Sequence, residues 1–277
     1  ESNLVDIQRI FADLIKGLKS TYEEFADELL KTIFERELSH LSDLLEGVRL
    51  LAQCPPSIEA QILSKGELLS IACMKQLLIS RGHLVEVIKP QEKLIAFKGG
   101  YLEAQINVEA SRALLMKQPL VKDAIYLMPG FTAGNEQGET LVLGRNGSDY
   151  SAAVLAACLK AECCEIWTDV DGVYSCDPRL VKDAKLLSTL SYAEAMELSY
   201  FGAKVLHPKT IAPIAQHHIP CLIKNTHNPQ ATGTLIGVEH GEQELQVKGI
   251  SDLKGLTMLS LSGPGMKGIV GMAGRIC

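Results

Sequence analysis

From residue 57 onward, the sequence alternates segments of helical periodicity with short runs rich in β-branched residues. The predicted helices cover residues 57–80, 108–116, 149–159 and 192–200, and the predicted strands cover 84–88, 124–128, 140–143, 165–168 and 220–224. This alternation favours an α/β fold in which a largely parallel sheet is covered by helices on both faces. Because ligands of open α/β sheets bind at the carboxyl ends of the strands, the loops that follow strands are the candidate sites.

Residues 1–56 have a different, purely helical pattern. Five apolar residues follow the spacing of an amphipathic helix: Ile7, Ile10, Phe11, Leu14 and Ile15. A second helix is predicted to begin near Thr21 and Glu24, which have capping-box spacing, and to end before Pro55 and Pro56. Its apolar stripe fits a 3.6-residue period at least as well as a heptad, which favours ordinary helical packing over a partner-binding coiled coil.

The charge balance and the apolar pattern exclude several classes of protein. With 27 basic against 33 acidic residues the net charge is −6, so the chain has no basic excess with which to bind nucleic acid. The densest apolar stretch, 152–159, is far shorter than the roughly 20 residues that cross a bilayer, so we expect no membrane span. Residues 1–11 lack the layout of a secretory signal, and we therefore expect a cytoplasmic location.

Eight cysteines are spread along the chain without the CxxC pairs of a zinc site. Cys163 and Cys164 are adjacent, and neighbours in a strand point to opposite faces, so these two thiols are poorly placed to bind one metal ion. We predict reduced thiols, most of which pack as small apolar residues, and no metal site built from protein side chains.

The loop 144–149, with the sequence GRNGSD, lies between a predicted strand and an alanine-rich predicted helix. Its two glycines allow a close backbone approach, and the start of the helix offers unpaired N–H groups to an anion. Arg145 adds a planar fork suited to a carboxylate or a phosphate. A tight turn with Ser148 as the helix N-cap explains the same residues, and the spacing alone leaves both interpretations open.

A second unusual loop, WTDVDGVYSCDPR at 167–179, follows an apolar strand. Its three aspartates, with glycine and proline, are also typical of an ordinary turn-rich loop. An EF-hand is excluded because no glutamate stands at the twelfth position counted from Asp169. Arg179 is suited either to an ion pair with a nearby carboxylate or to a phosphate clamp, and spacing does not decide between them.

A third segment, FGAKVLHP at 201–208, follows a predicted helix that begins with the capping-box pair Ser191 and Glu194. Lys204 stands in a short apolar connector, where a lysine is suited to hold a phosphate as a point charge. His207 precedes a proline, and we interpret it as a structural histidine.

The sequence GPGMKG at 263–268 matches the G-x-G-x-x-G fingerprint of dinucleotide-binding sites after a strand-like run. The sequence ends before a βαβ unit or an acidic ribose partner appears, which argues against an NAD-dependent dehydrogenase. No Walker A motif is present.

Taken together, four motifs resemble the aspartokinase family, a branch of the amino acid kinases: GFTAGN at 130–135 and the segments 144–149, 167–179 and 201–208. The resemblance covers the chain from about Ser57 to its end. It is specifically to the kinase half of the threonine-sensitive bifunctional aspartokinase/homoserine dehydrogenases. The fold it implies is a three-layer α/β/α sandwich followed by the beginning of an ACT-like regulatory domain.

The resemblance also implies a reaction, in which the γ-phosphoryl group of ATP is transferred to the β-carboxylate of L-aspartate. The implied aspartate-binding residues are Glu67, Arg145, Asn146, Gly147, Ser148 and Asp149. The implied ATP-binding residues are Thr168, Asp169, Tyr174, Arg179, Lys204 and Val205. Arg145 would grip the α-carboxylate while Glu67 and Asp149 face the ammonium group, and Lys204 and Asp149 would act in catalysis. Mg²⁺ would be held mainly through the ATP phosphates. Such chemistry needs little covalent help from the protein, since positioning and charge neutralisation supply most of the rate.

Two departures from the family pattern lead to further expectations. The family begins with a strand and a Lys-Phe-Gly-Gly loop that this sequence lacks. The similar Phe97-Lys98-Gly99-Gly100 stands in the middle of the domain, and we interpret that match as a coincidence. At the other end, residues 247–277 resemble only the first strand, loop and helix of an ACT regulatory domain. We therefore expect a truncated catalytic domain at 1–237, then a linker and a truncated ACT-like start at 238–277, without the NADP-dependent dehydrogenase half. A threonine effector and a homo-oligomer are expected of the parent protein. The alternative hypothesis is a regulatory fragment that binds threonine without catalysis.

Overall fold

The computed structural model describes residues 9–10, 12–14, 16–17, 20, 28–117, 119–200, 205–237, 247–251, 255 and 257. The helices are α1 (Glu28–Leu51), α2 (Pro56–Ser80), α3 (Pro90–Lys93), α4 (Val108–Leu115), α5 (Gly147–Leu159), α6 (Tyr192–Tyr200) and α7 (Pro208–Gln216). The strands are β1 (Val85–Val87), β2 (Ala96–Lys98), β3 (Gln105–Ile106), β4 (Ile125–Leu127), β5 (Thr132–Gly134), β6 (Thr140–Val142), β7 (Cys164–Thr168), β8 (Thr189–Leu190), β9 (Cys221–Asn225) and β10 (Thr234–Ile236).

Within these residues the strands form a mixed set of sheets. β7, β9, β10 and β8 make a four-stranded sheet in that order, in which β7 pairs in parallel with β9 and β10 in parallel with β8. β9 and β10 are antiparallel, as are the separate pairs β2–β3 and β5–β6, while β1 and β4 are parallel. The α/β class is confirmed, but the prediction of a largely parallel sheet is wrong, because antiparallel pairings are as frequent as parallel ones in the described part of the chain.

The longer elements lie where the sequence predicted them. α6 has the predicted bounds, and its capping box is formed, because the Ser191 backbone N–H donates to Glu194 Oε2 (2.8 Å) and the Glu194 N–H donates to Ser191 Oγ (3.2 Å). α2 begins one residue earlier than predicted, at Pro56. The amphipathic pattern at 7–15 is helical at each described residue, whereas the capping-box pair near Thr21 lies outside the described residues.

The alanine-rich helix α5 is buried between two apolar cores. Ala153 and Ala157 belong to the core that also contains β7, β9 and α7, and both are fully buried. Val154 and Cys158 belong to the core that contains β3, β5 and β6. Small side chains let α5 approach neighbours on both sides, and this packing fixes the direction in which its N-terminus points.

The helices α1 and α2 pack against each other around a buried cation. Phe34 of α1 meets Leu69 and Cys73 of α2 in a small apolar cluster. Beside this cluster the Lys65 ammonium of α2 donates to Glu37 Oε2 of α1 (2.6 Å). Burial raises the pKa of the Glu37 carboxyl, but the hydrogen bonds and charges of Lys65 and Arg36 together outweigh this and leave that pKa below its usual value.

Candidate active site

The loop Gly144–Ser148 makes a tight left-handed turn into α5. Gly144 and Asn146 both have positive φ, +73° and 57°, and the Gly147 N–H donates to the Gly144 carbonyl oxygen (3.0 Å). The helix begins at Gly147, so Asn146 occupies the N-cap position without a side-chain cap hydrogen bond. The alternative that Ser148 is the N-cap is therefore wrong, because Ser148 already lies within the first turn of α5.

The GFTAGN motif packs directly on this turn. A Cβ at Gly147 would lie 2.7 Å from Phe131 Cδ2, and a Cβ at Gly130 would lie 3.2 Å from Ser148 Cβ. Phe131 itself has a positive φ of 66°, and its N–H donates to Ser151 Oγ of α5 (3.2 Å). Only glycine fits at position 147 without a shift of its neighbours, because this approach leaves no room for a side chain.

A cleft of about 410 Å³ opens where α2 meets this turn. Its lining residues are Leu63, Gly66, Glu67, Phe131, Gly144, Asn146, Gly147, Ser148 and Asp149. The tertiary structure thus brings Glu67, which is far from the loop in sequence, to the same cleft as Asn146, Gly147, Ser148 and Asp149. Five of the residues implied for aspartate binding therefore share one cleft.

Two carboxylates in the cleft have no basic partner in the described part of the chain. Burial raises the pKa of the Glu67 carboxyl, and the hydrogen bond with the Ser148 side chain only partly opposes this. Burial likewise raises the pKa of the Asp149 carboxyl, with Asn146 opposing the rise. A ligand that carries an ammonium group would stabilise both charged forms, while the N-terminus of α5 favours an anionic group. A zwitterion has both groups.

The chain topology brings further loops to this edge. α5 leads into β7 and α7 leads into β9, and these two strands are parallel. The N-termini of both helices and the carboxyl ends of both strands therefore lie at one edge of the sheet. Burial lowers the pKa of His207, and the positive charges of Lys209 and Arg145 lower it further, which indicates that Arg145 lies near the start of α7.

His207 has a structural role at that helix start. It is the N-cap residue of α7, and its Nδ1 accepts a hydrogen bond from the Lys209 backbone N–H (3.1 Å). The interpretation of His207 as a structural residue is confirmed. Val205, implied for ATP binding, packs against the core around β7 and β9. Lys204, implied for ATP binding and catalysis, lies outside the described residues.

The end of β7 and the loop that follows it carry the remaining residues implied for nucleotide binding. Thr168 Oγ1 donates to Asp169 Oδ1 (3.2 Å), and the Tyr174 hydroxyl donates to Asp171 Oδ2 (3.5 Å). Arg179 forms an ion pair with Asp177, with Nη2 2.8 Å from Oδ2 and Nε 3.0 Å from Oδ1. Of the two interpretations of Arg179 that the sequence left open, the structure contains the ion pair.

Some lining residues were not anticipated. Leu63, Gly66 and Phe131 line the cleft, although the sequence pattern assigns them no role. The position of Phe131 in the GFTAGN motif could have marked it as a site residue. It follows a glycine and precedes a strand, and a turn is expected at such a position. No comparable signal marked Leu63, since apolar residues on a long helix are usually core residues.

The described residues contain neither a metal-binding cluster nor a membrane-spanning helix. They contain no group of three or more His, Cys, Asp or Glu side chains that could hold a metal ion. None of their helices has both the length and the apolar character needed to cross a membrane. Within them, four cysteines are buried as free thiols: Cys73, Cys158, Cys164 and Cys221. Cys54 and Cys163 are exposed, and they are the exceptions that the prediction of mostly packed thiols allows.

The sequence is similar to proteins of one known family. Residues 11–225 match the Amino acid kinase family. The chain is 52% identical over 267 residues to a bifunctional aspartokinase/homoserine dehydrogenase of Haemophilus influenzae, a match that covers 96% of this chain and 33% of that protein. The chain thus spans about a third of the length of the curated relatives it matches.

Two solved structures show the same fold. E. coli aspartokinase III in complex with aspartate and ADP (R-state) matches with a TM-score of 0.74 and 32% identity, over 83% of this chain and 52% of that chain. The same enzyme in complex with lysine and aspartate (T-state) matches with a TM-score of 0.71 and 32% identity, over the same shares. The resemblance and the amino acid kinase fold inferred from the motifs are confirmed.

Proposed function

Because the chain belongs to the amino acid kinase family, we propose that it carries the active site of an aspartate kinase. The reaction is transfer of the γ-phosphoryl group of ATP to the β-carboxylate of L-aspartate, an early step in the biosynthesis of amino acids. One observation carries the proposal: Glu67 and Asp149 share a cleft with a glycine-rich helix N-terminus, and neither has a basic partner among the described residues. This arrangement suits an amino acid whose ammonium group supplies the missing charge.

The proposed roles divide between two adjacent regions. At the cleft, Glu67 and Asp149 face the ammonium group of aspartate, and Arg145 grips its α-carboxylate beside Asn146, Gly147 and Ser148. At the carboxyl edge of β7, Thr168, Asp169, Tyr174 and Val205 line the nucleoside pocket. Arg179 and Lys204 neutralise the phosphates, for which Arg179 must exchange its Asp177 partner. Catalysis then rests on alignment and charge neutralisation, because phosphoryl transfer needs little covalent help from the protein.

Several finer features belong to the same proposal. Mg²⁺ would be held mainly by the ATP phosphates, since this ion keeps water and phosphate ligands and needs few protein carboxylates. The catalytic domain would extend over residues 1–237, followed by an ACT-like regulatory start at 238–277. We further propose a threonine effector, assembly into a homo-oligomer, a cytoplasmic location, and a linked homoserine dehydrogenase that uses NADP.

A hydroxamate trap for aspartyl phosphate tests the reaction. This chain, and a chain extended to the length of its relatives, are each incubated with Mg-ATP, L-aspartate and hydroxylamine. We expect aspartyl hydroxamate from the extended chain, and product from the extended chain alone also supports the proposal. Glutamate should be inactive in place of aspartate, and the extended chain with Lys204→Ala should give no product. Absence of product from both chains, under conditions in which a known aspartokinase forms it, would refute the proposal.

The alternative, a regulatory fragment without catalysis, predicts a different result in these assays. It predicts that threonine binds and that this binding is indifferent to Lys204→Ala, with no phosphoryl transfer in either chain. Calorimetric titration with threonine, beside the hydroxamate assay, separates the two hypotheses. The residues on which this alternative depends, beyond 237, are described only at 247–251, 255 and 257, and the cleft at Glu67 favours the kinase.

A further inference from the structure

The side chain of Asp171 joins two loops at the carboxyl edge of the sheet. Its Oδ1 accepts hydrogen bonds from Asn225 Nδ2 (2.8 Å), at the end of β9, and from Asn228 Nδ2 (3.2 Å), in the turn that follows. Its Oδ2 accepts the bond from the Tyr174 hydroxyl (3.5 Å), within its own loop. One half-buried carboxylate thus connects the loop after β7 with the loop after β9.

Backbone contacts hold the same loop on either side of Asp171. Before it, the Thr226 N–H donates to the Thr168 carbonyl oxygen (2.8 Å). After it, the Val173 N–H donates to Thr234 Oγ1 of β10 (2.8 Å). A Cβ at Gly172, between these contacts, would clash with the same Thr234 oxygen, so the loop passes very close to β10. The segment 168–173 is therefore held at both of its ends, and Asp171 holds its middle.

The contact between Asp171 and Tyr174 is the long one of the set: the Tyr174 hydroxyl lies 3.5 Å from Asp171 Oδ2, whereas Asn225 Nδ2 lies 2.8 Å from Oδ1. Burial and the negative charge of Asp171 raise the pKa of the Tyr174 hydroxyl, so this group stays protonated and donates to the carboxylate. Hydrogen bonds to a charged acceptor are shorter and stronger than neutral ones, so a carboxylate holds several donors better than a neutral side chain would. Asp171 itself is turned toward Asn225 and Asn228 rather than toward the cleft residues.

We propose that Asp171 is a positioning residue for the nucleotide, which sets Tyr174 and the loop after β7 by tying them to Asn225 and Asn228. This inference rests on the proposed kinase function, because it assigns the nucleotide to the carboxyl edge of β7. It adds three residues to which the motifs assigned no role. The ligand positioned by these contacts of Asp171 is a nucleoside diphosphate or triphosphate. The binding of the amino acid in the cleft at Glu67 does not depend on them.

The test measures the binding of two ligands separately. ADP is titrated into the wild-type chain and into Asp171→Ala and Asp171→Asn by calorimetry, and L-aspartate is titrated into each in a second series. The only tryptophan, Trp167, lies next to Thr168 and is 48% exposed, so its fluorescence gives an independent readout of the nucleotide site. Asp183→Ala, an exposed aspartate later in the same connection, is the matched control.

We expect Asp171→Ala to weaken the binding of ADP at least about tenfold and to change the binding of L-aspartate by less than about twofold. Asp171→Asn keeps an acceptor oxygen for both asparagines but loses the charge and the second acceptor oxygen, so it should recover only part of the loss. Asp183→Ala should bind ADP as the wild type does. Because Asn225 acts through Asp171, the double variant with Asn225→Ala should bind ADP no more weakly than Asp171→Ala alone. If Asp171→Ala does not fold, Asn228→Ala tests the same link from an exposed position.

The outcomes separate the inference from the function on which it rests. A wild-type chain that binds L-aspartate but shows no heat and no Trp167 response with ADP would overturn the proposed kinase function. A wild-type chain that binds ADP, with Asp171→Ala binding it equally well, would overturn the inference alone. Equal losses for ADP and L-aspartate, together with a lower melting temperature, would also overturn it, because they would mark Asp171 as a general stabilising residue.

Discussion

Two charged residues that lie two positions apart on α2 have opposite surroundings. Lys65 is 7% exposed, and its ammonium lies 2.6 Å from Glu37 Oε2 and 2.8 Å from His40 Nδ1. Glu67 lies on the other side of the helix, in the cleft with Asp149, and has no cationic partner in the described part of the chain. The helical period explains the separation, because positions two apart point in nearly opposite directions.

The difference distinguishes a charge that serves the fold from one that serves a ligand. The pKa of Glu37, the partner of Lys65, is lowered, so the ion pair is already satisfied in the folded chain. The pKa of Glu67 is raised because burial opposes its charge without compensation from a cation. Folding alone does not favour the ionised form of Glu67, whereas binding of an ammonium group would.

The largest expected effect is on the structural side of this comparison. Replacing Lys65 by alanine leaves the partly buried Glu37 with the exposed Arg36 as its cationic partner. Because an exposed ion pair contributes little, we still expect a loss of about 3 kcal/mol in the free energy of unfolding. Urea unfolding followed by circular dichroism measures it. Arg49→Ala, which breaks the exposed pair with Glu46 on α1, is the control and should leave the urea midpoint unchanged.

A second variant sharpens that result. Replacing Lys65 by methionine and Glu37 by leucine together removes both charges, so the double variant should regain most of the stability lost by Lys65→Ala. If Lys65→Ala costs no more than Arg49→Ala, the buried pair does not stabilise the packing of α1 on α2, and this half of the comparison fails.

In the cleft, Glu67→Gln should weaken the binding of L-aspartate about 10- to 100-fold, because a neutral amide cannot compensate the charge of the ammonium group. The melting temperature should stay the same or rise, since the substitution removes a charge that burial opposes. Calorimetric titration and scanning calorimetry give the two quantities. Glu59→Gln, the same change in the first turn of α2 and outside the cleft, is the control and should bind L-aspartate as the wild type does. If Glu67→Gln also binds L-aspartate as tightly as the wild type, the role assigned to Glu67 is wrong.

The pH dependence should separate the two regions further. The raised pKa values of Glu67 and Asp149 mean that their charges are present above those values and are lost as pH falls through them. Affinity for L-aspartate should therefore fall first, by up to about tenfold per pH unit for each group. The stabilising contribution of Glu37 is present above its unfolded pKa and is lost only as pH falls through the lowered folded value. Affinity and urea midpoint are measured from about pH 8 to about pH 3; a simultaneous fall would contradict the distinction.

The smallest effect concerns the cap on α7. His207→Ala should cost about 0.5–1 kcal/mol, whereas His207→Asn keeps a side-chain acceptor for the Lys209 N–H. Because the pKa of His207 is lowered by burial and by two cations, its contribution is present above the unfolded pKa and is lost as pH falls below it. The stability of the wild type relative to His207→Asn should therefore decrease on acidification, and a pH-independent difference would rule out a titrating cap.

How much of this could be read from the sequence depends on the length of each element. Helix 192–200 was predicted with its capping box, because a helix of several turns shows its period and its cap in consecutive residues. The strands β2, β3, β5, β8 and β10 were not predicted, since two or three residues show no period. Their conformation depends on partners distant in the chain, which also explains why the frequency of antiparallel pairing was missed.

For the candidate site, the sequence by itself determined the chemistry of each loop, because glycines, an arginine and carboxylates in a fixed order define what a loop can hold. The tertiary structure decided which of them meet. Glu67 reaches Asp149 only because α2 packs across the strand that precedes the glycine turn, and Asp171 reaches Asn225 only because β7 and β9 are neighbours. Contacts between residues far apart in the chain follow from packing and strand order, neither of which leaves a pattern in neighbouring residues.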